Sequence, residues 1–531
     1  MSAAPPSKAN PDVDDLNRKA ESADVALLLE GTFPFVAGGV SSWVNQIICG
    51  FPHLRFAIVF LGSRPQDYGK PKFKLPDNVV HFEAHYLYGT DGKPPVTPLK
   101  GNKEMFDTSQ TLHEYFRAPV ENAEAGAKAL ATIVGELQGK MNRSEFLYSE
   151  RSWNYITQMY QERCTDPSFV DYFWTIRTMH SPIWTLSKVV ENLIPCGCYH
   201  TVSTGYAGFL GALLKRRYQK PLILSEHGIY TKERRIDLYA AQWIADNRST
   251  LQRDATEAGY FRQAWIRFFE ALGRMCYDAS DQIIALYEAN RLRQVQDGAN
   301  EARTFNIPNG IDVVRFGELR ALRPALTPKV CCLIGRVVPI KDIKTYIRAM
   351  RIVASRLPEA EAWIAGPEDE SPAYADECHA LTKGLGLENN VKFLGFQKLT
   401  ELLPKVGLVV LSSISEALPL VLLEGYAAGV PGVSTDVGSC KQLIYGLTED
   451  DKLLGASGEV VGIADPQALA MSIISYFEDD AKWLAASAAG VKRVNQYYTH
   501  PLMFSRYGEV YRRALAGERA DAPDFTRWAD L

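Results

Sequence analysis

The hydrophobic pattern of this chain consists of short apolar runs separated by amphipathic stretches. The first strong run, Val25 to Leu29, is followed by a loop with Gly38 and Gly39 and then by a helical pattern. A short unbroken apolar run is typical of a strand buried on both faces, as in a parallel sheet. The region therefore predicts a strand, a glycine-bearing loop and a helix.

The same unit recurs in the second half of the chain. Val330 to Ile334 forms the apolar run, and Asp342 begins the helical pattern. Further apolar runs follow at regular intervals, in the segments EAWIAG, NVKFLGF, GLVVLSS and VPGVSTD. Strands that alternate with helices build parallel sheets, so the pattern predicts an α/β protein. Two such starts predict two doubly wound, Rossmann-like domains that face each other across a ligand cleft.

Composition and turn residues predict the domain boundaries. Residues 1–23 are polar and rich in Pro, Ala and Asp, which predicts a disordered leader. The turn residues in IPNGIDVVRF place a hinge near residues 310–328. The chain then divides into a first domain at 24–318, a second domain at 319–496 and a final segment at 497–531.

The first domain is longer than one Rossmann unit needs. Its excess, at about 85–200, is rich in helix formers and predicts a largely helical insertion. The aromatic residues of this insertion include Trp153, Tyr155, Tyr172, Phe173, Trp174 and Trp184. We interpret them as core residues, and the alternative is that some stack against sugars in an acceptor groove.

The composition limits the classes of function that the chain can have. The chain has 531 residues, 46% of them hydrophobic and 23% charged, which is typical of a globular protein. A net charge of −4 does not indicate the basic surface that nucleic-acid-binding proteins use. Because no apolar run is long enough to span a bilayer and the first residues lack a signal-peptide core, we expect a cytoplasmic protein.

The cysteines do not predict a metal site. There are nine, an odd number, which fits reduced thiols better than a disulfide framework. The tightest group is Cys196, Cys198 and His200 in PCGCYH. It lacks the C-x-x-C spacing and a fourth ligand, so we interpret these residues as buried side chains beside a strand.

Two carboxylates stand out in the stretch ISEALPLVLLEGYAAGVP. Pro419 suits the first turn of a helix and Gly429 its C-terminal cap, so the helix is predicted at roughly 419–428. Glu416 then lies in the loop before the helix, and Glu424 lies more than one turn inside it. An ionised carboxylate is costly to bury without a polar partner, so a polar ligand is expected here. The helix N-terminus offers N–H groups to a phosphate.

Positive charge is predicted at a second strand end. In GRVVPIKD, Arg336 and Lys341 directly follow the strand at Val330 to Ile334. Side chains at the carboxyl ends of parallel strands project towards the ligand in doubly wound folds. Two cations against a diphosphate stabilise a leaving group whose negative charge grows as a glycosidic bond breaks.

These residues resemble a known family. The spacing E-x7-E from Glu416 to Glu424, together with GR…K and IPNGID, resembles the retaining nucleotide-sugar glycosyltransferases of GT-B fold in the GT4 family, over about residues 24–515. The resemblance implies that Glu416 binds the donor sugar and that Glu424 binds the ribose. It also implies a terminal helix within 497–515 that returns to the first domain.

The resemblance assigns further residues to the donor. The diphosphate site comprises Arg336, Lys341, Gly38, Gly39 and Leu418. The nucleobase loop comprises Leu394, Gly395 and Phe396. The segment SEHGIYTKERR is similar to the family segment whose histidine faces the donor sugar, which makes His227 a candidate catalytic residue beside Glu416. The alternative for His227 is a core histidine bonded to the backbone.

Some positions depart from the general family pattern. Ala417 and Ser439 stand where glycines are common, and Gln442 stands where a glutamate is usual. With the segments LLEGTFPFVAGGVSSWV, SEHGIYTKERR and TDVGSCKQLI, they resemble the subfamily of cytosolic glycosyltransferases in bacterial Pel exopolysaccharide synthesis.

The resemblance implies a metal-independent enzyme without a cofactor. The expected reaction is transfer of a sugar from UDP-GalNAc, UDP-GlcNAc or UDP-glucose to a growing exopolysaccharide, with retention of anomeric configuration. The expected partners are the polysaccharide acceptor and inner-membrane synthesis and export proteins. The alternatives are a UDP-sugar epimerase and a non-catalytic nucleotide-sugar-binding subunit. Dinucleotide oxidoreductases and P-loop phosphotransferases are excluded, because neither G-x-G-x-x-G nor G-x-x-x-x-G-K-[ST] occurs.

Overall fold

The chain folds into two compact units. The computed structural model describes residues 16–89, 95–119, 123–135, 141–248 and 258–518. The first unit comprises the chain through Ala285, then Arg291–Phe305 and the segment that starts at Gly508. The second unit comprises Leu286–Asn290 and Asn306–Tyr507. Both units are therefore assembled from pieces that are separate in sequence.

The described part of the first unit contains a seven-stranded sheet. The strand order is β3-β2-β1-β4-β5-β6-β7, and pairing is parallel from β3 through to β6. The strands are β1 (Ala23–Glu30), β2 (Phe56–Gly62), β3 (Val79–Tyr86), β4 (Cys196–Thr201), β5 (Leu222–Glu226), β6 (Gln282–Ala285) and β7 (Thr304–Asn306). The predicted run at Val25 to Leu29 is the fully buried centre of β1.

The helices of the first unit cover this sheet. Those before β4 are α1 (Gly39–Gly50), α2 (Lys103–Arg117), α3 (Ala123–Val134), α4 (Arg143–Tyr148), α5 (Glu150–Arg163) and α6 (Phe169–Asn192). Those after β4 are α7 (Tyr206–Tyr218), α8 (Tyr230–Ala240), α9 (Tyr260–Ala279) and α10 (Glu288–Gln296), the last of which begins within the second unit. Helices α2 to α6 all lie between β3 and β4 and pack into the same core as α7 and α9.

The second unit is built on a six-stranded parallel sheet within the described residues. The strand order is β10-β9-β8-β11-β12-β13. The strands are β8 (Val330–Ile334), β9 (Glu361–Ala365), β10 (Val391–Phe393), β11 (Leu408–Leu411), β12 (Gly432–Thr435) and β13 (Gly458–Val461). The order reverses between β8 and β11, and in doubly wound sheets such a switch point is where ligands bind.

The helices of the second unit complete its layers. They are α11 (Val313–Gly317), α12 (Ile343–Arg356), α13 (Pro372–Gly384), α14 (Leu399–Leu402), α15 (Leu420–Ala427), α16 (Cys440–Tyr445), α17 (Glu449–Lys452), α18 (Pro466–Glu478), α19 (Asp480–Tyr497) and α20 (His500–Ala516). Helix α20 begins in the second unit and continues into the first at Gly508. No described helix combines the length and the hydropathy needed to cross a membrane.

Two local predictions differ from the structure. The predicted disordered leader includes 1–15, which lie outside the described residues, but Arg18 donates hydrogen bonds to the carbonyl oxygens of Pro76 and Val79, at 2.6 and 2.8 Å. A guanidinium that binds several carbonyls holds this polar segment on the first unit. Among the aromatic residues interpreted as core, Trp153 and Trp174 are 51% and 58% exposed. Tyr172 and Trp184 are buried, as predicted.

Candidate functional site

Lys341 and Glu416 lie together at the ends of neighbouring strands of the second unit. Lys341 follows β8, and Glu416 follows β11, its neighbour in the sheet. The Lys341 Nζ and Glu416 Oε1 atoms are 2.5 Å apart, with side chains that are 18% and 14% exposed. The sequence predicted both residues, but not that they pair with each other. The pair places one positive and one negative group at the switch point of the sheet.

Ser413 and Ser412 hold this pair in place. The Ser413 hydroxyl donates to Glu416 Oε1 at 2.6 Å, and the Ser412 hydroxyl donates to the Lys341 carbonyl oxygen at 2.8 Å. Sequence reasoning missed both serines as site residues. Their position directly after the apolar run of β11 was the available indication, because polar side chains at strand ends face the ligand side.

Arg336 has a different partner. Its guanidinium donates to Glu370 Oε1 at 2.7 Å, and its side chain is 56% exposed. An exposed ion pair of this kind contributes roughly 0–1 kcal/mol, so an anion of higher charge can replace the carboxylate at little cost. The structure therefore places Arg336 directly after β8, as predicted, but does not pair it with Glu416.

Leu418 precedes the predicted helix, which the structure has at Leu420–Ala427, and Glu424 lies within it. Leu418 is buried, 8% exposed. Burial raises the pKa of Glu424 from its usual 4.5 to about 7, and the charge of Arg315 opposes this rise. Glu424 is thus neutral in part at physiological pH, and a ligand that donates hydrogen bonds would favour its ionised form.

The loop before α16 packs on the backbone of Glu416. Gly438 has a φ of +54°, and a Cβ atom there would lie 2.3 Å from the Glu416 carbonyl oxygen. The Ser439 N–H donates to the Ala417 carbonyl oxygen at 2.9 Å. Gln442, on α16 itself, accepts from the Glu288 N–H at 3.2 Å. The close approach of Gly438 and the Ser439 hydrogen bond make the loop a support for the Glu416 segment.

The predicted nucleobase loop follows β10. The Leu394 N–H donates to the Ile364 carbonyl oxygen at 2.9 Å, which anchors the start of the loop on β9. Phe396 is 80% exposed, and Gln397 Nε2 donates to the Leu394 carbonyl oxygen at 2.7 Å. The loop, with Gly395 at its turn, presents an exposed aromatic ring and backbone groups that a planar base can contact.

Gly38 and Gly39 begin α1 in the first unit. Gly38 is the N-terminal cap residue, and α1 starts at Gly39. A Cβ atom built at either glycine would meet no other atom of the described residues within 4 Å. Packing within the unit does not require either glycine, so both leave room for a group outside it to approach the helix N-terminus.

His227 lies directly after β5 of the first unit. It is 8% exposed, and its ring meets the Trp43 ring edge-on with centroids 4.6 Å apart. Burial lowers the pKa of His227 to about 4, so the imidazole is neutral at pH 7. Its Nε2 atom has no hydrogen-bond partner among the described residues. A buried ring nitrogen without a partner is unusual, and it identifies a place where a ligand can bond.

His227 borders a cavity of about 690 Å³ inside the first unit. Its wall combines aromatic rings with carboxylates and hydroxyls, a mixture that suits the faces and hydroxyls of sugars. The residues of the wall include Glu30, Ser203, Tyr206, Tyr230, Arg234, Asp237, Trp243, Trp265 and Phe269. Trp243 is 68% exposed, so one ring of the wall is open to solvent.

Glu226 fixes the loop that carries His227, and sequence reasoning missed it. Its carboxylate accepts from the Tyr230 N–H at 2.9 Å, the Tyr277 hydroxyl at 2.8 Å and Gln294 Nε2 at 3.0 Å. Burial raises the pKa of Glu226, and these donors act against that rise. Because two of its partners lie 51 and 68 residues away along the chain, no local pattern could have revealed the network.

Two doubly wound parallel sheets with polar residues at the strand ends define the GT-B class of fold. The chain belongs to the family described as Domain of unknown function (DUF3492), whose model matches residues 23–302. Residues 318–493 match the model described as Glycosyl transferases group 1. The fold is thus of GT-B type, as the sequence predicted, and its second half is similar to glycosyl transferases group 1.

Solved structures share the fold. Anabaena HepE in complex with UDP has a TM-score of 0.56 and 16% identity, covering 92% of this chain and 99% of that chain. The sucrose-phosphate synthase of Thermosynechococcus elongatus has a TM-score of 0.54 and 17% identity, covering 93% of this chain and all of that one.

Curated relatives match part of the chain at higher identity. A D-inositol 3-phosphate glycosyltransferase 2 of Catenulispora acidiphila is 27% identical over 288 residues, 51% of this chain. That match spans 60% of the length of the relative. A D-inositol 3-phosphate glycosyltransferase of Streptomyces griseus is 25% identical, covering 61% of this chain and 69% of the relative.

Proposed function

We propose that the protein transfers a sugar from a UDP-sugar to a growing polysaccharide, with retention at the anomeric carbon. The observation that carries the proposal is the pairing of Lys341 with Glu416 at the switch point of the second sheet, 2.5 Å apart. A cation and a carboxylate at one point match the two halves of a nucleotide sugar, its diphosphate and its hydroxyl-bearing sugar. HepE, a structure of the same fold, was solved with UDP.

The donor residues act in the following way. Lys341 and Arg336 bind the diphosphate, with the backbone around Leu418 beside it. As UDP leaves, these cations stabilise the charge that develops on the leaving oxygen. Glu416 moves from its bond with Lys341 to the hydroxyls of the donor sugar, and Ser413 keeps the carboxylate oriented.

The nucleoside is bound by two further elements. Glu424 accepts hydrogen bonds from the ribose hydroxyls, which draws its pKa down from about 7 and ionises it on binding. The loop of Leu394, Gly395 and Phe396 contacts the base. Donor binding requires no metal, because Lys341 and Arg336 neutralise the diphosphate.

The acceptor binds in the first unit. The neutral His227 offers its unpartnered Nε2 atom to a sugar hydroxyl, and the aromatic wall of the adjoining cavity stacks on the sugar faces. The acceptor hydroxyl attacks from the face that the diphosphate leaves. The bond from the anomeric carbon to the phosphate oxygen breaks as the bond to the acceptor oxygen forms, and the leaving phosphate takes the acceptor proton.

The polymer is an exopolysaccharide of the Pel type, and the enzyme corresponds to PelF. Three segments carry this part of the proposal, LLEGTFPFVAGGVSSWV, SEHGIYTKERR and TDVGSCKQLI. The donor is then UDP-GalNAc, UDP-GlcNAc or UDP-glucose. The enzyme works in the cytoplasm and passes its product to inner-membrane synthesis and export proteins that contribute to biofilm formation.

Calorimetric titration with UDP, ADP, GDP and NAD tests the donor site. We expect binding of UDP alone and at least a tenfold loss of affinity in Arg336→Ala. The matched control is Arg356→Ala, which removes an exposed arginine that pairs with Glu478 in the same unit. Equal UDP affinity in wild type and Arg336→Ala would overturn the donor site.

Activity measurements then separate transfer from its alternatives. We expect a sugar to pass from UDP to an oligosaccharide acceptor, and nuclear magnetic resonance should show the α configuration retained from an α-linked donor. Interconversion of UDP-sugars without an acceptor would support the epimerase instead. Tight UDP binding without turnover on any UDP-sugar would support the non-catalytic subunit.

A further inference from the structure

A second cavity of the first unit shares no residue with the wall around His227. Its volume is about 320 Å³, and it lies among α2, α5, α6 and α9. Small-molecule sites in proteins are roughly 300–1,000 Å³, so this cavity is large enough for a compact ligand. None of its wall residues belongs to the proposed donor site or to the cavity beside His227.

Most of the wall is apolar. Among the residues that line it are Phe116, Tyr155, Ile156, Met159, Tyr172, Ile176, Met179 and Tyr260. Methionine and aromatic side chains adapt to ligands of varied shape and favour an apolar body over water. The body of a ligand in this cavity is therefore aliphatic or aromatic.

Two neutral histidines interrupt the apolar wall. The rings of His113 and His180 have centroids 4.7 Å apart, and burial lowers the pKa of both, that of His180 to about 4. His180 Nδ1 lies 2.8 Å from the Ile176 carbonyl oxygen and so carries the proton. His113 Nε2 is buried and has no hydrogen-bond partner among the described residues. A buried polar atom of this kind is costly unless something else bonds to it.

The charged residues around the cavity are mostly arginines. Arg117, Arg163 and Arg267 contribute to the wall, with Glu114 as the acidic residue beside them. Arg267 Nη2 donates to Gln263 Oε1 at 3.0 Å. Arg163 Nε is buried and has no acceptor within the described part of the chain. A buried guanidinium donor without an acceptor calls for an anion.

We propose that this cavity binds a compact amphipathic anion. A carboxylate or phosphate head bonds to Arg163 and Arg267, and an aliphatic or aromatic body packs among the tyrosines and methionines. His113 supplies a further polar contact. Binding here would act on the helices of the first unit without occupying the proposed acceptor cavity.

The test is calorimetric titration of the full chain with decanoate, decyl phosphate, decylammonium and inorganic phosphate. We expect both decyl anions to bind and decylammonium to bind at least tenfold more weakly. Inorganic phosphate, which lacks an apolar body, should not bind measurably at about 1 mM. Arg267→Ala, an exposed position, should weaken both decyl anions at least tenfold.

Two further variants make the result specific. Arg151→Ala removes an exposed arginine at the start of α5 and should leave affinity for the anions unchanged. Ala264→Trp fills the cavity and should abolish binding while UDP affinity is kept. Absence of anion binding at millimolar concentration, equal binding of decylammonium, or unchanged affinity in Arg267→Ala would each overturn the proposal.

Discussion

At the scale of single residues, the Lys341–Glu416 pair is the most informative place for substitution. Lys341→Ala removes a cation that the proposal assigns to the leaving diphosphate, so we expect kcat for sugar transfer to fall about 10²–10³-fold. Glu416→Ala should lower kcat by a similar factor, because the contacts to the donor sugar are lost. Initial-rate measurements with a UDP-sugar donor would establish both values.

The control for Lys341→Ala is Lys344→Ala. Lys344 lies on α12 of the same unit, but it pairs with Glu377 rather than with Glu416. Its loss should leave kcat within about twofold of wild type, since an exposed ion pair contributes little. Near-full activity in Lys341→Ala or Glu416→Ala, with an unchanged melting temperature, would mean that the corresponding role has to be withdrawn.

Glu424 predicts a pH dependence of stability. Its folded-state pKa of about 7 lies above the usual 4.5, so folding favours its neutral form. Below the usual pKa the carboxyl is neutral in both the folded and the unfolded state, and no penalty exists. As pH rises towards 7 the unfolded state ionises first, and the folded state loses stability. Glu424→Gln should therefore raise the melting temperature at pH 8 but not at pH 4.5.

Thermal denaturation without UDP, measured at both pH values, checks this expectation. Glu388→Gln is the control, because it makes the same chemical change at an exposed position of the same unit. If Glu424→Gln changed the melting temperature equally at both pH values, burial of an ionisable carboxyl would not be the cause. UDP affinity should also fall in Glu424→Gln, which links the same residue to the ribose.

The sequence located these residues because strand ends meet in a parallel sheet. Arg336, Lys341 and Glu416 each follow an apolar run, and that rule alone places them on one edge. Their individual partners could not be predicted. Arg336 bonds to Glu370, which is 34 residues away, and side-chain pairing over such distances depends on packing that has no local pattern.

At the scale of elements, hydrophobic runs predicted five of the six strands described in the second unit, whereas β2, β3, β5, β6 and β7 of the first unit were not predicted. β8 has the predicted bounds of Val330 to Ile334, and the helix predicted at 419–428 is observed at Leu420–Ala427. β13 was not predicted. Its four residues include Glu459, which bonds to Lys482, so the short run lacks the unbroken apolar character of the other strands.

Gly438 offers a test of the loop that supports Glu416. Gly438→Ala would force a Cβ atom to within 2.3 Å of the Glu416 carbonyl oxygen, at a φ of +54°. The Glu416 segment must then shift, so we expect at least a tenfold loss of UDP-sugar affinity as well as lower stability. Calorimetric titration and thermal denaturation measure the two effects.

Gly386→Ala separates the effect of a positive φ from the effect of the contact with Glu416. Gly386 also has a positive φ, +65°, but a Cβ atom there would meet no described atom within 4 Å. This control should lose about 1–2 kcal/mol of stability and keep its affinity for the donor. Equal affinities of the two variants would show that the loop does not position Glu416.

At the scale of the whole molecule, the end of helix α20 is part of the first unit. Tyr511 is 1% exposed, and its hydroxyl lies 2.8 Å from His200 Nδ1 on β4. Val510 accepts a hydrogen bond from Gln282 Nε2 of β6 at 3.1 Å. The first sheet therefore needs residues from the far end of the chain.

Deletion of residues 508–531 should destabilise the first unit. The truncation removes the Tyr511 hydroxyl beside His200 Nδ1 and the Val510 carbonyl oxygen that accepts from Gln282 Nε2. The loss of a buried hydrogen-bond partner costs about 1–3 kcal/mol. Hydrogen exchange at the amides of β4 and β5 should become faster. Deletion of 519–531 alone retains these contacts and should leave exchange unchanged; equal protection in both truncations would contradict the expectation.

The first unit is assembled from segments that lie far apart in the chain, and this has a consequence for biosynthesis. A ribosome that makes roughly 5–20 residues per second needs on the order of 10–40 s to produce the second unit after most of the first has emerged. Throughout that interval the nascent first sheet lacks Tyr511. The first unit therefore reaches its final form only after the segment from Gly508 has been made, and a chain that stops before this segment cannot complete the first sheet.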